Sequence, residues 1–161
     1  MKFILLLLSL TVQLFLFAQT TIKEVTENAR QIKAEMRASL TDEKYDGSKI
    51  TYYEVKDFPI FKEFEITLFL RGNYTLYFSG ELAKTNVGMR IYDKAYDEKN
   101  RILLYETKDI SSKKLTVSTL DLNETLKKLT GRSDNLKSVF VEYSIPKGSP
   151  DLGGIVLIFG Y

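Results

Sequence analysis

"DLGGIVLIFGY", residues 151–161, carries two adjacent glycines, five consecutive apolar residues from Ile155 to Phe159, a third glycine and a tyrosine. The composition is that of a β-strand, and its pattern separates two architectures. A strand of a membrane barrel alternates apolar side chains toward lipid with polar ones toward the lumen. Here Ile155, Leu157 and Phe159 interleave with Val156 and Ile158, so both faces are apolar and no lumen face exists. Such a strand belongs inside a core, with a second sheet on one face and a helix on the other. Tyr161 then reads as an aromatic plug, Gly153 and Gly154 as a turn or bulge before the strand, and Gly160 as a point of close backbone approach.

Working back from this run, residues from 50 onward follow a period of two. "KITYYEV" (49–55) is a first strand, Pro59 kinks "DFPIF", and "EFEITLFL" (63–70) sets Phe64, Ile66, Leu68 and Leu70 on one face. "RGN" (71–73) turns the chain into "YTLYFSGEL", with Tyr74, Leu76 and Phe78 opposite Thr75, Tyr77 and Ser79. "VGMRIYDKAY", "DEKN" and "RILLYET" (87–107) form a hairpin with a polar tip, and "KKLTVST" is a short strand. "DLNETLKKLTG" (121–131) breaks the pattern as a helix: Asp121 caps it, Leu122, Leu126 and Leu129 share a face, and Gly131 ends it. With "LKSVFVEYSI" and the closing run this makes about eight strands, an antiparallel β-sandwich spanning 50–161. A small outer-membrane barrel is the alternative.

Two segments precede the β pattern. Ile22, Val25, Ala29, Ile32 and Met36 recur at spacings of three and four, which predicts an amphipathic helix over 22–40, capped by Thr21 with Glu24 three residues on. Its opposite face mixes both charges, so it packs on the body of the domain or offers a short coiled-coil surface, and is not a basic membrane-surface helix. "TDEKYDGSK" (41–49) reads as a polar linker turning at Gly47, so 19–49 is helix plus linker. Before it, Lys2 and the apolar stretch Phe3 to Ala18 have the form of a secretory signal cut before Gln19, with a retained anchor as the alternative. The expected location is periplasmic or secreted in a Gram-negative envelope, with no membrane span after cleavage.

Composition closes several functional classes. Loss of Lys2 takes 23 basic residues to 22, against 21 acidic ones, so no electrostatic footprint for nucleic acid is present. The chain has no histidine and no cysteine, which removes Ser-His-Asp and Cys-His catalysis, imidazole- and thiolate-bound metals, and disulfides. Ser111 and Lys114 in "SSKK" have the S-x-x-K spacing of serine-lysine acyl enzymes, but in a polar stretch leading into a strand they read as an exposed loop. Asp93, Asp97 and Glu98 cluster on the hairpin tip, where hard oxygen ligands could hold calcium; the interposed Lys94 and Lys99 favour a solvated turn. No cofactor and no catalytic residue is expected. A carboxylate-based hydrolase of envelope polymers is the enzymatic alternative.

The remaining constellation is aromatic. With Met89 and Ile91 inward, Arg90, Tyr92, Lys94 and Tyr96 face out, and Tyr77 and Tyr105 lie on the less apolar faces of their strands. Tyr77, Arg90, Tyr92, Tyr96 and Tyr105 are therefore the candidate ligand-binding residues, suited to stacking sugar rings or anchoring a protein partner of the envelope. Ordinary cross-strand packing is the competing account of the same residues.

"FLRGNYTLYFSG", "VGMRIYDKAYDEKNRILLYET", "SVFVEYSI" and "GGIVLIFG" follow one another in an order that resembles the bacterial pre-peptidase C-terminal domain, over about residues 64–161. The resemblance implies a small jelly-roll sandwich with a non-catalytic accessory or binding role. It places Gly72, Tyr74, Tyr92 and Asp93 at structural positions. The helix at 121–131 is an insertion relative to that family, and the N-terminal helix has no counterpart there.

Overall fold

The computed structural model describes residues 21–69 and 73–161. The expected leader, and Leu70, Arg71 and Gly72 of the expected strand end and turn, lie outside the described residues. The described strands are β1 (Tyr45–Glu54), β2 (Ile60–Thr67), β3 (Thr75–Ser79), β4 (Gly88–Tyr92), β5 (Leu103–Thr107), β6 (Lys114–Ser118), β7 (Ser138–Ile145) and β8 (Leu152–Gly160). Two helices accompany them, α1 (Ile22–Ala38) and α2 (Thr119–Thr130).

β1 pairs with β8, β2 with β7, β3 with β6 and β4 with β5, all antiparallel. This is one long hairpin ribbon whose tip is the loop between β4 and β5. Rolling the ribbon brings β8 beside β3 and β7 beside β4. The result is two four-stranded sheets, β1-β8-β3-β6 and β2-β7-β4-β5, in the order of a jelly roll. Each sheet keeps two edges and the space between them is filled with side chains, so the architecture is a sandwich and not the barrel held as its alternative.

The roll explains the unbroken apolar run. β8 lies inside its sheet, with Ile155, Leu157 and Phe159 turned into the inter-sheet core, and Val156 and Ile158 packed against Ala29, Ile32 and Met36 of α1. Tyr161 packs on that core with its ring centroid 5.4 Å from that of Tyr74, and its backbone exchanges hydrogen bonds with Lys44. Gly160 is the expected close approach: a Cβ there would stand 2.6 Å from the Lys44 carbonyl oxygen.

Several boundaries differ from the sequence reading. β1 begins at Tyr45, inside the stretch expected to be a linker, and Gly47 sits at a bulge within the strand with the Phe159 ring lying on it. Gly153 and Gly154 belong to β8 itself, where the Tyr53 ring covers Gly153 in the same way. α2 is capped by Ser118, whose hydroxyl accepts the Leu120 N–H at 3.2 Å, and Asp121 falls in the first turn. Leu122 and Leu126 enter the core, but Leu129 is 62% exposed because the last turn projects beyond the body. At the other helix Thr21 caps as expected, accepting the Glu24 N–H at 3.2 Å. Ile22, on the same stripe as the buried Val25, is 73% exposed.

The core also contains an unsatisfied group. Tyr143 of β7 is fully buried against Phe64, and its hydroxyl has no hydrogen-bond partner. Burial pushes this phenol well above the ordinary tyrosine range, and burial likewise pushes Tyr53 up to about 12. Unfolded tyrosine ionises near pH ~10, so above that pH the unfolded chain loses protons that the native state keeps. The stability present below pH ~10 is lost as pH rises through about 12, by roughly 1.4 kcal/mol per pH unit for each such group. Tyr143→Phe removes both the orphaned hydroxyl and its titration. We expect urea unfolding to show a gain of about 1 kcal/mol at neutral pH and a shallower alkaline decline; an unchanged alkaline slope would refute the assignment.

Candidate functional site

Edge strands β1 and β2 stand on the same side of the sandwich, where Lys49 of β1 holds its ammonium 5.8 Å from the Phe64 ring centroid of β2. A groove of about 480 Å³ opens beside them, lined by β1, the β1–β2 connection, β2, the start of β8 and the first turns of α1. Val25 and Tyr53 are buried in its floor with Gly153, while Ile22, Tyr52 and Phe58 stand exposed on its rim. Phe58 is 55% exposed. The walls are built by local rules. Pro59 ends the β1–β2 connection and presents Phe58 outward. Ile22 is the first helical residue, past the edge of the sheet that buries the rest of its stripe.

Tyr53 is held in place rather than mobile. Its ring lies over Gly153, and its hydroxyl accepts the Lys84 N–H at 3.3 Å. Lys56 and Lys62 bring cationic side chains to the groove, with Glu54 the one acidic residue among its lining residues. The Lys56 ammonium is 5.7 Å from the Phe58 ring centroid. Concave, mainly apolar, and furnished with a few charged groups, the groove has the character and size of a ligand site. Exposed apolar side chains gathered in one place are the surface feature that most often marks a binding site.

The five residues singled out from the sequence do not form one patch. Tyr77 lies on the other sheet, beneath the end of α1, with its hydroxyl donated to Glu43, which also accepts from Thr75 at 2.6 Å. Tyr105 sits opposite Ile91, and its ring packs on the core, because a bulge beside Tyr92 breaks the register of β4 with β5. Arg90, Tyr92 and Tyr96 remain on the outer side of the β2-β7-β4-β5 sheet. There Arg90 pairs with Glu106 at 2.6 Å and approaches Glu142 at 3.7 Å. Arg101 pairs with Glu63 and Glu142, and its guanidinium lies 3.4 Å from the Tyr92 ring centroid. The face of Tyr92 is therefore covered by a cation. Tyr96, 76% exposed on the hairpin loop, is the open aromatic of the set.

The other candidates have local partners. Ser111 donates its hydroxyl to Asp109 at 2.5 Å, which holds that carboxyl below its ordinary range, and the Lys114 ammonium pairs with Glu81 at 3.2 Å. Asp93 accepts the Ile102 N–H at 2.7 Å and faces Arg132 at 3.8 Å. Among the described residues no three acidic side chains converge to hold a metal ion, and no helix is long and apolar enough to cross a membrane.

The groove escaped the sequence reading because its residues come from three separated segments, 22–26, 52–62 and 152–153. The available signal was the pair Phe58-Pro59, an aromatic held in a turn with no strand face to bury it. Comparison with protein-family models, curated proteins and solved structures gives no match for this chain.

Proposed function

We propose that the protein is an exported, non-catalytic binding module of the cell envelope, and that it engages its ligand through the groove between α1 and the β1–β2 edge. The observation that carries this reading is the 480 Å³ concavity floored by Val25 and Tyr53 and rimmed by exposed Ile22 and Phe58. A chain with neither histidine nor cysteine, whose Ser111 and Lys114 are engaged by Asp109 and Glu81, favours binding over catalysis. The tyrosine face is the weaker location for a site, since Tyr77 and Tyr105 are turned away from it and Tyr92 is capped by Arg101.

The neutral fluorescent probe N-phenyl-1-naphthylamine tests the location. Saturable binding to the purified protein is expected, weakened about tenfold or more by Ile22→Ser together with Phe58→Ser, which remove two apolar walls. Both positions are exposed, so the fold tolerates the change. Tyr96→Ala should leave the titration unaltered. Equal binding by the double variant, or loss of binding in Tyr96→Ala, would move the site off the groove.

A further inference from the structure

From the charges around the groove, and resting on the reading that it is the binding site, we infer that its ligand is a single-chain anionic amphiphile: one acyl chain lying along the apolar floor with its phosphate or carboxylate at the rim lysines. The floor is a place for hydrocarbon. Val25, Tyr53, Ile60 and Leu152 line it, and Gly153 makes room for the Tyr53 ring that lies over it. At about 480 Å³ the groove falls within the range of small-molecule ligand sites, which admits one acyl chain.

The rim selects the headgroup. Lys56 and Lys62 are exposed, and neither is engaged in an ion pair among the described residues, so both ammonium groups are available to an incoming anion. The Lys56 ammonium stands beside Phe58, at the border between apolar wall and solvent, where a headgroup emerges from a buried chain. Glu54 is the one acidic residue among the lining residues, leaving the lining net positive. Depth favours one extracted molecule over a bilayer surface, because Val25 and Tyr53 are buried below the exposed rim, beyond the reach of a flat interface.

The chain has no tryptophan, so Phe58→Trp supplies a single reporter on the rim. It is titrated with lysophosphatidylglycerol and lysophosphatidylcholine carrying the same myristoyl chain, each below its micelle threshold. The anionic lipid should bind about tenfold tighter at low salt, the preference shrinking as the Debye length falls. Lys56→Gln with Lys62→Gln should bring the two affinities together. Equal affinities that the lysine changes do not move would overturn the anionic class while leaving the groove as the site. No binding of either lipid would overturn both. A response only to phosphatidylglycerol vesicles, with none to the monomers, would overturn the single-molecule ligand in favour of membrane docking.

Discussion

Removing Ile155–Tyr161 should leave a chain that does not fold, although it shortens the sequence by only the last part of one strand. β8 lies inside its sheet, so this removal leaves β1 with only the pairing of Tyr52–Glu54 to Leu152–Gly154, and leaves β3 with β6 alone among the described strands. Both of its faces are committed: Ile155, Leu157 and Phe159 to the inter-sheet core, and Val156 and Ile158 to the floor beneath α1. Truncating a single buried leucine costs about 2–5 kcal/mol, against about 5–15 kcal/mol for an entire domain. Five such side chains and a whole backbone ladder exceed that margin. Far-UV circular dichroism and urea titration provide the check. A truncated protein that stays monomeric and unfolds cooperatively would refute it, and Leu157→Ala, expected to lose about 2–5 kcal/mol, provides a graded version in a chain that still folds.

That strand was the most legible part of the molecule. An apolar run that does not alternate requires cover on two sides, and the sandwich with its packed helix supplies both. The helical stripe Val25, Ala29, Ile32 and Met36 was legible for the same reason, since all four are buried against β8 or beside it. What escaped the sequence depended on partners far along the chain. Asp46, Gly47 and Ser48 have turn chemistry, yet they form strand because β8 pairs with Gly47 and Ser48, Asp46 is taken up in the bulge, and Phe159 covers the glycine. Alternation placed Arg90 and Tyr92 outward, but it carries no record of which sheet holds Tyr77. Nor could it foresee that a bulge between Ile91 and Tyr92 would leave Tyr105 facing the core. The groove was least legible of all. Exposed Ile22 and Phe58 look like core residues in a linear pattern, and only the placement of two sheet edges beside a helix start brings them together.

Gly80→Ala should be the most damaging glycine-to-alanine change among the described residues. Gly80 follows β3 and continues its pairing with the β6 side, donating its N–H to the Lys113 carbonyl at 2.9 Å and accepting the Ser112 N–H at 2.8 Å. The chain crosses directly over it. A Cβ at this position would lie 1.9 Å from the Ile110 carbonyl oxygen and 2.7 Å from the carbonyl carbon. Those atoms belong to backbone and have no rotamer by which to retreat. Ile110 is itself held, with its side chain buried and its N–H donated to the Val87 carbonyl at 2.9 Å. The following turn is locked by the Asp109 carboxylate, which accepts the Ser111 N–H at 2.8 Å, and by the left-handed Ser112 at φ 55°. Relief therefore demands moving the whole 109–113 turn away from β3, and a cost of about 3–5 kcal/mol is expected. Gly154→Ala is the matched control: it is also buried, but its added methyl would meet only side chains, at 3.7–3.8 Å, and should be tolerated. Comparable urea midpoints for the two variants would show that the crossing backbone yields more readily than its hydrogen bonds imply, whereas a large loss confined to Gly80→Ala would make that crossing the reason glycine stands there.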